Sequence, residues 1–163
     1  MIILGIDPGI AIVGYGVLSS EKGKFQAIDY GVITTSKDEK TPQRLALIEQ
    51  GLNALIDKYK PDCIALEELF FQNNQKTAIT VAEARGVLLL TAVKRCSKLY
   101  EYTPLQIKQA ITGYGNADKK QVQFMVKALL NLKQIPKPDD AADALAVALT
   151  CGQVNKFNDM FRI

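Results

Sequence analysis

The chain has 163 residues, 48% hydrophobic and 23% charged, with a net charge of +3, the profile of a globular protein long enough to bury a core in one domain spanning 1–163. It contains no histidine, which removes Ser-His and Cys-His catalysis and His-based zinc sites and leaves any acid-base or metal chemistry to carboxylates, lysines and tyrosines. No apolar run reaches the roughly 18 residues that span a membrane and no export leader is visible, while Cys63, Cys96 and Cys151 are isolated and read as reduced and structural, so the expectation is a cytoplasmic protein.

The chain opens on Ile2-Ile3-Leu4-Gly5-Ile6, an apolar run that predicts a strand buried on both faces. Asp7-Pro8-Gly9 then stops the strand and turns the chain. A carboxylate at the edge of an apolar sheet is costly unless donors or a cation satisfy it, so Asp7 is either a turn cap or a metal ligand. Ile12–Leu18 predicts a second strand whose Gly14 and Gly16 permit close backbone approach, and Phe25–Thr35 a third; short connections make the three an antiparallel meander. Thr41-Pro42 fits an N-cap followed by proline at the first helical position. Leu45, Ile48, Leu52, Leu55, Ile56 and Tyr59 then recur at helical spacing through Tyr59.

Cys63–Leu66 reads as a short buried strand that also ends in acid, Glu67-Glu68. Strand alternation puts Glu67 on the face of Cys63 and Ala65, as Asp7 shares that of Ile3 and Gly5, and turns Glu68 away to solvent. In open α/β sheets, sites gather at the carboxyl ends of strands. Leu69-Phe70-Phe71 and a polar loop, Gln72–Lys76, lead to a helix from Thr77 to about Arg95. Its Val87–Leu90 segment is apolar all round and needs two partners, the sheet and either a second subunit or the chain's own C-terminal helices.

Leu99–Thr103 predicts a fifth strand, and Pro104 opens a helix to about Ile111. Charge is unevenly shared: residues 1–93 carry 9 basic and 11 acidic side chains, residues 94–163 carry 11 and 6. A basic half suits a polyanion, although solvated lysines on ordinary helices give the same count. Thr112–Lys120 is turn-prone, with Tyr114 between two glycines and Lys119 and Lys120 close behind, and reads as a phosphate-contacting loop leading to a helix N-terminus. Val122, Met125, Val126, Leu129 and Leu130 mark the inward face of that helix. The last helix starts at Asp139, whose own acid reads as an N-capping group. Asp140 and Asp143, three apart on an alanine-lined surface, share a face that can press on the sheet.

Four carboxylates, Asp7, Glu67, Asp140 and Asp143, are thus candidates for one place. Oxygen-only donors select hard cations, Mg²⁺ or Mn²⁺, and such a cluster suits a pair of ions that activates water and stabilises a leaving oxygen. Beside a basic half, that chemistry cleaves a phosphodiester.

Gly5-Ile6-Asp7-Pro8-Gly9, Ala65-Leu66-Glu67-Glu68-Leu69-Phe70, Ala84-Arg85-Gly86-Val87 and Asp140-Ala141-Ala142-Asp143-Ala144-Leu145-Ala146 together resemble the RuvC family of bacterial Holliday junction endonucleases, in matching order over nearly the whole chain. The resemblance implies an RNase H-like α/β fold: a five-stranded mixed sheet, three antiparallel N-terminal strands plus two parallel, flanked by helices. It implies a homodimer that nicks opposed strands of a four-way DNA junction in recombination and repair, and RuvA and RuvB as branch-migration partners. By the same resemblance two Mg²⁺ ions per subunit, replaceable by Mn²⁺, are held by Asp7 between them, Glu67 on one and Asp143 on the other. Asp140 stands where some relatives carry histidine. Lys108 and Lys119 match basic residues facing the scissile phosphate, and Phe70 an aromatic that stacks on an opened base; Tyr114 and Lys120 are further candidate DNA contacts. The tail after Val154 matches nothing. A phosphotransferase of the actin and sugar-kinase type needs two such domains, more than this length holds. A compact nuclease acting on ribosomal RNA precursors and a non-catalytic junction-binding protein are the alternatives.

Overall fold

A computed structural model describes residues 1–69, 75–154 and 162–163. Strands β1 (Ile2–Asp7), β2 (Ile12–Glu21) and β3 (Lys24–Thr34) precede helix α1 (Thr41–Tyr59). Then follow β4 (Cys63–Glu67), α2 (Gln75–Arg95), β5 (Leu99–Tyr102) and the helices α3 (Pro104–Thr112), α4 (Lys119–Leu129) and α5 (Asp139–Gln153). The strands form one mixed sheet in the order β3-β2-β1-β4-β5, with β1–β2 and β2–β3 antiparallel and β1–β4 and β4–β5 parallel. This is the expected five-stranded RNase H-like α/β arrangement, with β1 at its centre.

Alternation along the central strands splits the core into two layers. Leu4, Ile6, Ile64 and Leu66 face α1 and α2 and pack with Ile48, Leu52, Ala84 and Leu88. Ile3, Cys63 and Ala65 face the other way, onto Leu145, Ala148 and Leu149 of α5 and onto residues of α3 and α4. The C-terminal helices therefore lie across the sheet from α2, which corrects the alternative that they cover it: Ile79, Leu90 and Val93 are 65%, 55% and 61% exposed. Arg85 of α2 is tied to Glu101 of β5 by an ion pair.

Three local expectations change. Lys40, in extended conformation, is the N-cap of α1 and makes no side-chain cap, so Thr41 and Pro42 are already helical. The first four helical N–H groups lack intrahelical partners, so proline fits a position further in as well as at the first. Asp139 is likewise inside the first turn of α5 rather than its cap, which is Pro138. Leu129 is 38% exposed, because the inward stripe of α4 runs through Val122, Val126 and Leu130 and leaves it at the edge. All three cysteines are buried and none is in a disulfide, as expected. Among the described residues no helix is long and apolar enough to cross a membrane.

Candidate active site

Two adjacent parallel strands deliver the first two acids. Register Ile6↔Leu66 sets Asp7 and Glu67 side by side at the carboxyl ends of β1 and β4. Glu68 is exposed, as alternation requires. Across β1 the antiparallel register pairs Asp7 with Gly14.

The other two acids arrive on α5, and glycines decide how close it comes. A Cβ at Gly5 would stand 2.2 Å from the Ala144 carbonyl oxygen, and one at Gly14 2.0 Å from that of Asp140. On the helix side Ala141, Ala144 and Ala148 are fully buried. Backbone thus rests almost directly on backbone, and the first turns of α5 bring Asp140 and Asp143 over the strand ends.

The electrostatics show that the four carboxylates share one field. Burial, then Glu67, Asp143 and Asp140, hold the Asp7 carboxyl well above the usual carboxylate range, and only the Lys119 charge opposes them. Burial and then Asp143 push Glu67 from its ordinary 4.5 to about 7, against the pull of Lys119 and Lys108. Burial raises Asp143 too, although Lys119 donates to it. The Lys119 ammonium lies 3.0 Å from Asp143 Oδ2 and 3.7 Å from Asp139 Oδ2. Desolvation works against that charge, but the hydrogen bond and charge of Asp143 outweigh it and Lys119 titrates above its ordinary value. Mutual repulsion in a partly buried site is unfavourable without a cation, and a lysine is the cation present.

A cavity of about 280 Å³ opens on this cluster, lined by Glu67, Pro104, Ile107, Lys108, Lys119, Val122, Asp143 and Ala146. Lys108 and Lys119 thus lie beside the acids. Tyr114 and Lys120 do not: they line a separate groove of about 430 Å³ with Thr112, Asp118, Phe124 and Met125. Two of the amides at the N-terminus of α4 are engaged by its own side chains. Asp118 caps it, accepting from the Gln121 N–H while the Gln121 side chain accepts from the Asp118 N–H. Phe70 lies outside the described residues.

The donor set suits a hard cation, being carboxylate oxygens that repel one another around a partly buried point. Among the described residues, however, no three such side chains stand in ligating geometry as they are. One of the donors, Asp143, is instead engaged by the Lys119 ammonium. Sequence reasoning missed Asp139 as a partner of Lys119. The signal was a third acid on α5, one turn before Asp143, but it read as a cap.

The family model described as crossover junction endodeoxyribonuclease RuvC matches residues 3–151. A protein of that name from Alkaliphilus metalliredigens is 57% identical over 163 residues, covering 100% of this chain and 99% of the relative. Its counterpart from Alkaliphilus oremlandii is 54% identical over 163 residues, with the same coverage of 100% and 99%. Among solved structures, Thermus thermophilus RuvC in complex with a Holliday junction substrate superposes with a TM-score of 0.93 at 34% identity, over 100% of this chain and 99% of that one. Placed beside the shared sheet order and the acids at its strand ends, these matches show that the chain belongs to the RuvC family of crossover junction endodeoxyribonucleases.

Proposed function

We propose that the chain is a metal-dependent endodeoxyribonuclease that resolves four-way DNA junctions by paired, symmetric nicks, working as a homodimer with two Mg²⁺ ions per subunit. The observation that carries this is the convergence of Asp7 and Glu67 at adjacent strand ends with Asp140 and Asp143 on the closely packed α5, where burial and then the neighbouring acids raise Asp7 and basic side chains border the cluster. Asp7 would serve both ions, Glu67 one and Asp143 the other, with Asp140 a looser ligand. When bound, the ions supply an activated water and stabilise charge on the leaving oxygen. The protein's part is to hold four carboxylates on rigid strand ends and one helix. Lys108 and Lys119 hold the phosphate beside them, and the sheet shields one side from water.

Cleavage of a mobile four-way junction, tested beside matched duplex and RNA with and without Mg²⁺, decides the substrate. Junction-specific paired nicks that require the metal are expected. Equal or faster cleavage of RNA would favour the ribosomal RNA alternative, and metal-independent binding without nicks the scaffold alternative.

Lys119→Ala is expected to lower the single-turnover rate at saturating enzyme more than it lowers junction affinity, because the ammonium faces charge that develops on the phosphoryl group. A lysine that only bound DNA would instead reduce the salt slope by about one unit and leave the bound-state rate unchanged.

The dimer surface is α2. Ile79, Gly86 and Val93 repeat at seven-residue spacing, the stripe along which two helices pack. A Cβ at Gly86 would meet nothing within 4 Å, so the chain itself gives no reason for a glycine that costs a helix interior about 1 kcal/mol relative to alanine. A second backbone crossing there gives one. Leu90→Asp is expected to yield a folded monomer by sedimentation at micromolar concentration, with an unaltered melting curve at high dilution and nicks no longer paired. An intact dimer would move the interface off this face. The branch-migration proteins RuvA and RuvB are partners by family resemblance alone.

A further inference from the structure

Asp139 lies outside the four-carboxylate set, yet it is bound into the same charge network. Its Oδ1 accepts from Lys137 Nζ at 2.7 Å, which leaves Oδ2 turned to Lys119 Nζ at 3.7 Å. That ammonium stands 3.0 Å from Asp143 Oδ2 at the same time. Asp139 and Asp143 are four apart on α5 and so share a face, with the ammonium between them. One turn along α4 from Lys119, Gln123 is only 6% exposed. Its amide nitrogen has no hydrogen-bond partner among the described residues.

We infer that Asp139 is a positioning residue, the second station of the Lys119 ammonium: Lys119 stands on Asp143 while no metal is bound, and passes to Asp139 when a metal ion takes Asp143. The inference rests on reading the carboxylate cluster as the metal site. An ammonium and a divalent cation compete for one carboxylate, because their repulsion acts over the same few ångströms that make each contact favourable. Lysine is a compact point charge on a flexible stem, so closing the gap to Asp139 takes a turn of its terminal bonds and no backbone shift. Lys137 fixes the Asp139 carboxylate from the far side, which keeps Oδ2 aimed at Lys119. The arrangement does two things. It gives the metal-free cluster a cation, and it keeps that cation at the rim of the cavity once the metal has displaced it, where a phosphate would lie. Without Asp139 the displaced ammonium would lose its other ion-pair partner, so it would compete longer for Asp143.

Mn²⁺ binding to the DNA-free protein, read from the spectrum of unbound Mn²⁺, tests this without any turnover. Lys119→Met is expected to tighten binding, since the competing ammonium is gone. Asp139→Asn is expected to weaken it about two- to fivefold, the range an exposed ion pair spans, and Asp139→Glu to restore it. In the Lys119→Met background most of the Asp139→Asn effect should vanish, because there is no ammonium left to station. An equal loss in both backgrounds would make Asp139 a plain long-range charge and overturn the inference, as would Lys119→Met failing to tighten binding. Mn²⁺ binding that is the same in wild type and Asp143→Asn would instead overturn the metal-site reading, and this inference with it.

Discussion

Asp7→Asn is expected to abolish nicking while leaving junction binding nearly intact and making the metal-free protein more stable. The three outcomes have one cause. Asp7 sits where two strand ends and α5 converge, and burial together with three neighbouring acids holds its carboxyl well above the usual range. Removing its charge removes the ligand that would serve both ions. Since outer partners of a metal site already cost about 10–100-fold when lost, a fall of at least that size in the single-turnover rate is expected. Binding survives because the lysines that meet phosphate are untouched. Stability rises because an amide has no charge to desolvate and nothing to repel. The same reasoning fixes the pH dependence. A carboxyl whose folded pKa is raised binds its proton more tightly in the folded state, so stability is lost as pH rises from the ordinary carboxylate range through the raised value. For Glu67 that window runs from 4.5 to about 7, and Asp7 adds to it in the same direction. The melting temperature of the metal-free protein should therefore climb as pH falls from 8 to 5, and climb less in Asp7→Asn. Added Mg²⁺ should stabilise the wild type most at pH 8. A metal-free Asp7→Asn protein that melts below the wild type would contradict the account, because Asp7 would then be a satisfied structural group.

The elements that position this site were legible because their signals are local. An apolar run that ends in acid needs only five or six residues to be read, and both β1 and β4 carry it; the same holds for the helical stripe Ile48, Leu52, Ile56 in α1. What stayed hidden depends on elements far apart in sequence. Asp139 looks like a helix cap because an acid at the start of a helix usually is one. That it pairs with Lys119 follows from how α4 and α5 pack, which no spacing within either helix reveals. The basic loop Thr112–Lys120 was legible as exposed. That it divides, with Lys119 at the acids and Tyr114 and Lys120 in another groove, depends on where α4 starts: successive residues in the first turn of a helix point about 100° apart. The cap of α1 was misplaced by one residue, since proline is tolerated at more than one position of a first turn.

Gly14→Ala is expected to cost both stability and catalysis, the second by more than the first explains. A methyl group at this position would lie 2.0 Å from the Asp140 carbonyl oxygen and 2.6 Å from its carbonyl carbon. Both are backbone atoms of a helix whose neighbours are fully buried, so no side chain can rotate out of the way. Either β2 bows or the start of α5 lifts. Overpacking of this kind costs about 1–3 kcal/mol, or about 2–12 °C in melting temperature for a chain of this size. The movement is not spread evenly, however. Gly14 is the register partner of Asp7, and the atom it would strike belongs to Asp140 itself. Lifting α5 there carries Asp140 and Asp143 away from Asp7 and Glu67, and a misplacement of about 1 Å can cost about a hundredfold in rate. Gly16→Ala separates the two effects. Its methyl would meet Leu145, whose Cα, Cγ and Cδ2 all lie at 2.9 Å, so α5 is again disturbed but further from the acids. Single-turnover cleavage at a temperature where both variants are folded should therefore fall much more in Gly14→Ala than in Gly16→Ala, at comparable losses of melting temperature. If Gly14→Ala melts lower yet nicks at the wild-type rate, the close approach of sheet and helix serves stability alone, and the carboxylates must be held in place by something other than this glycine contact.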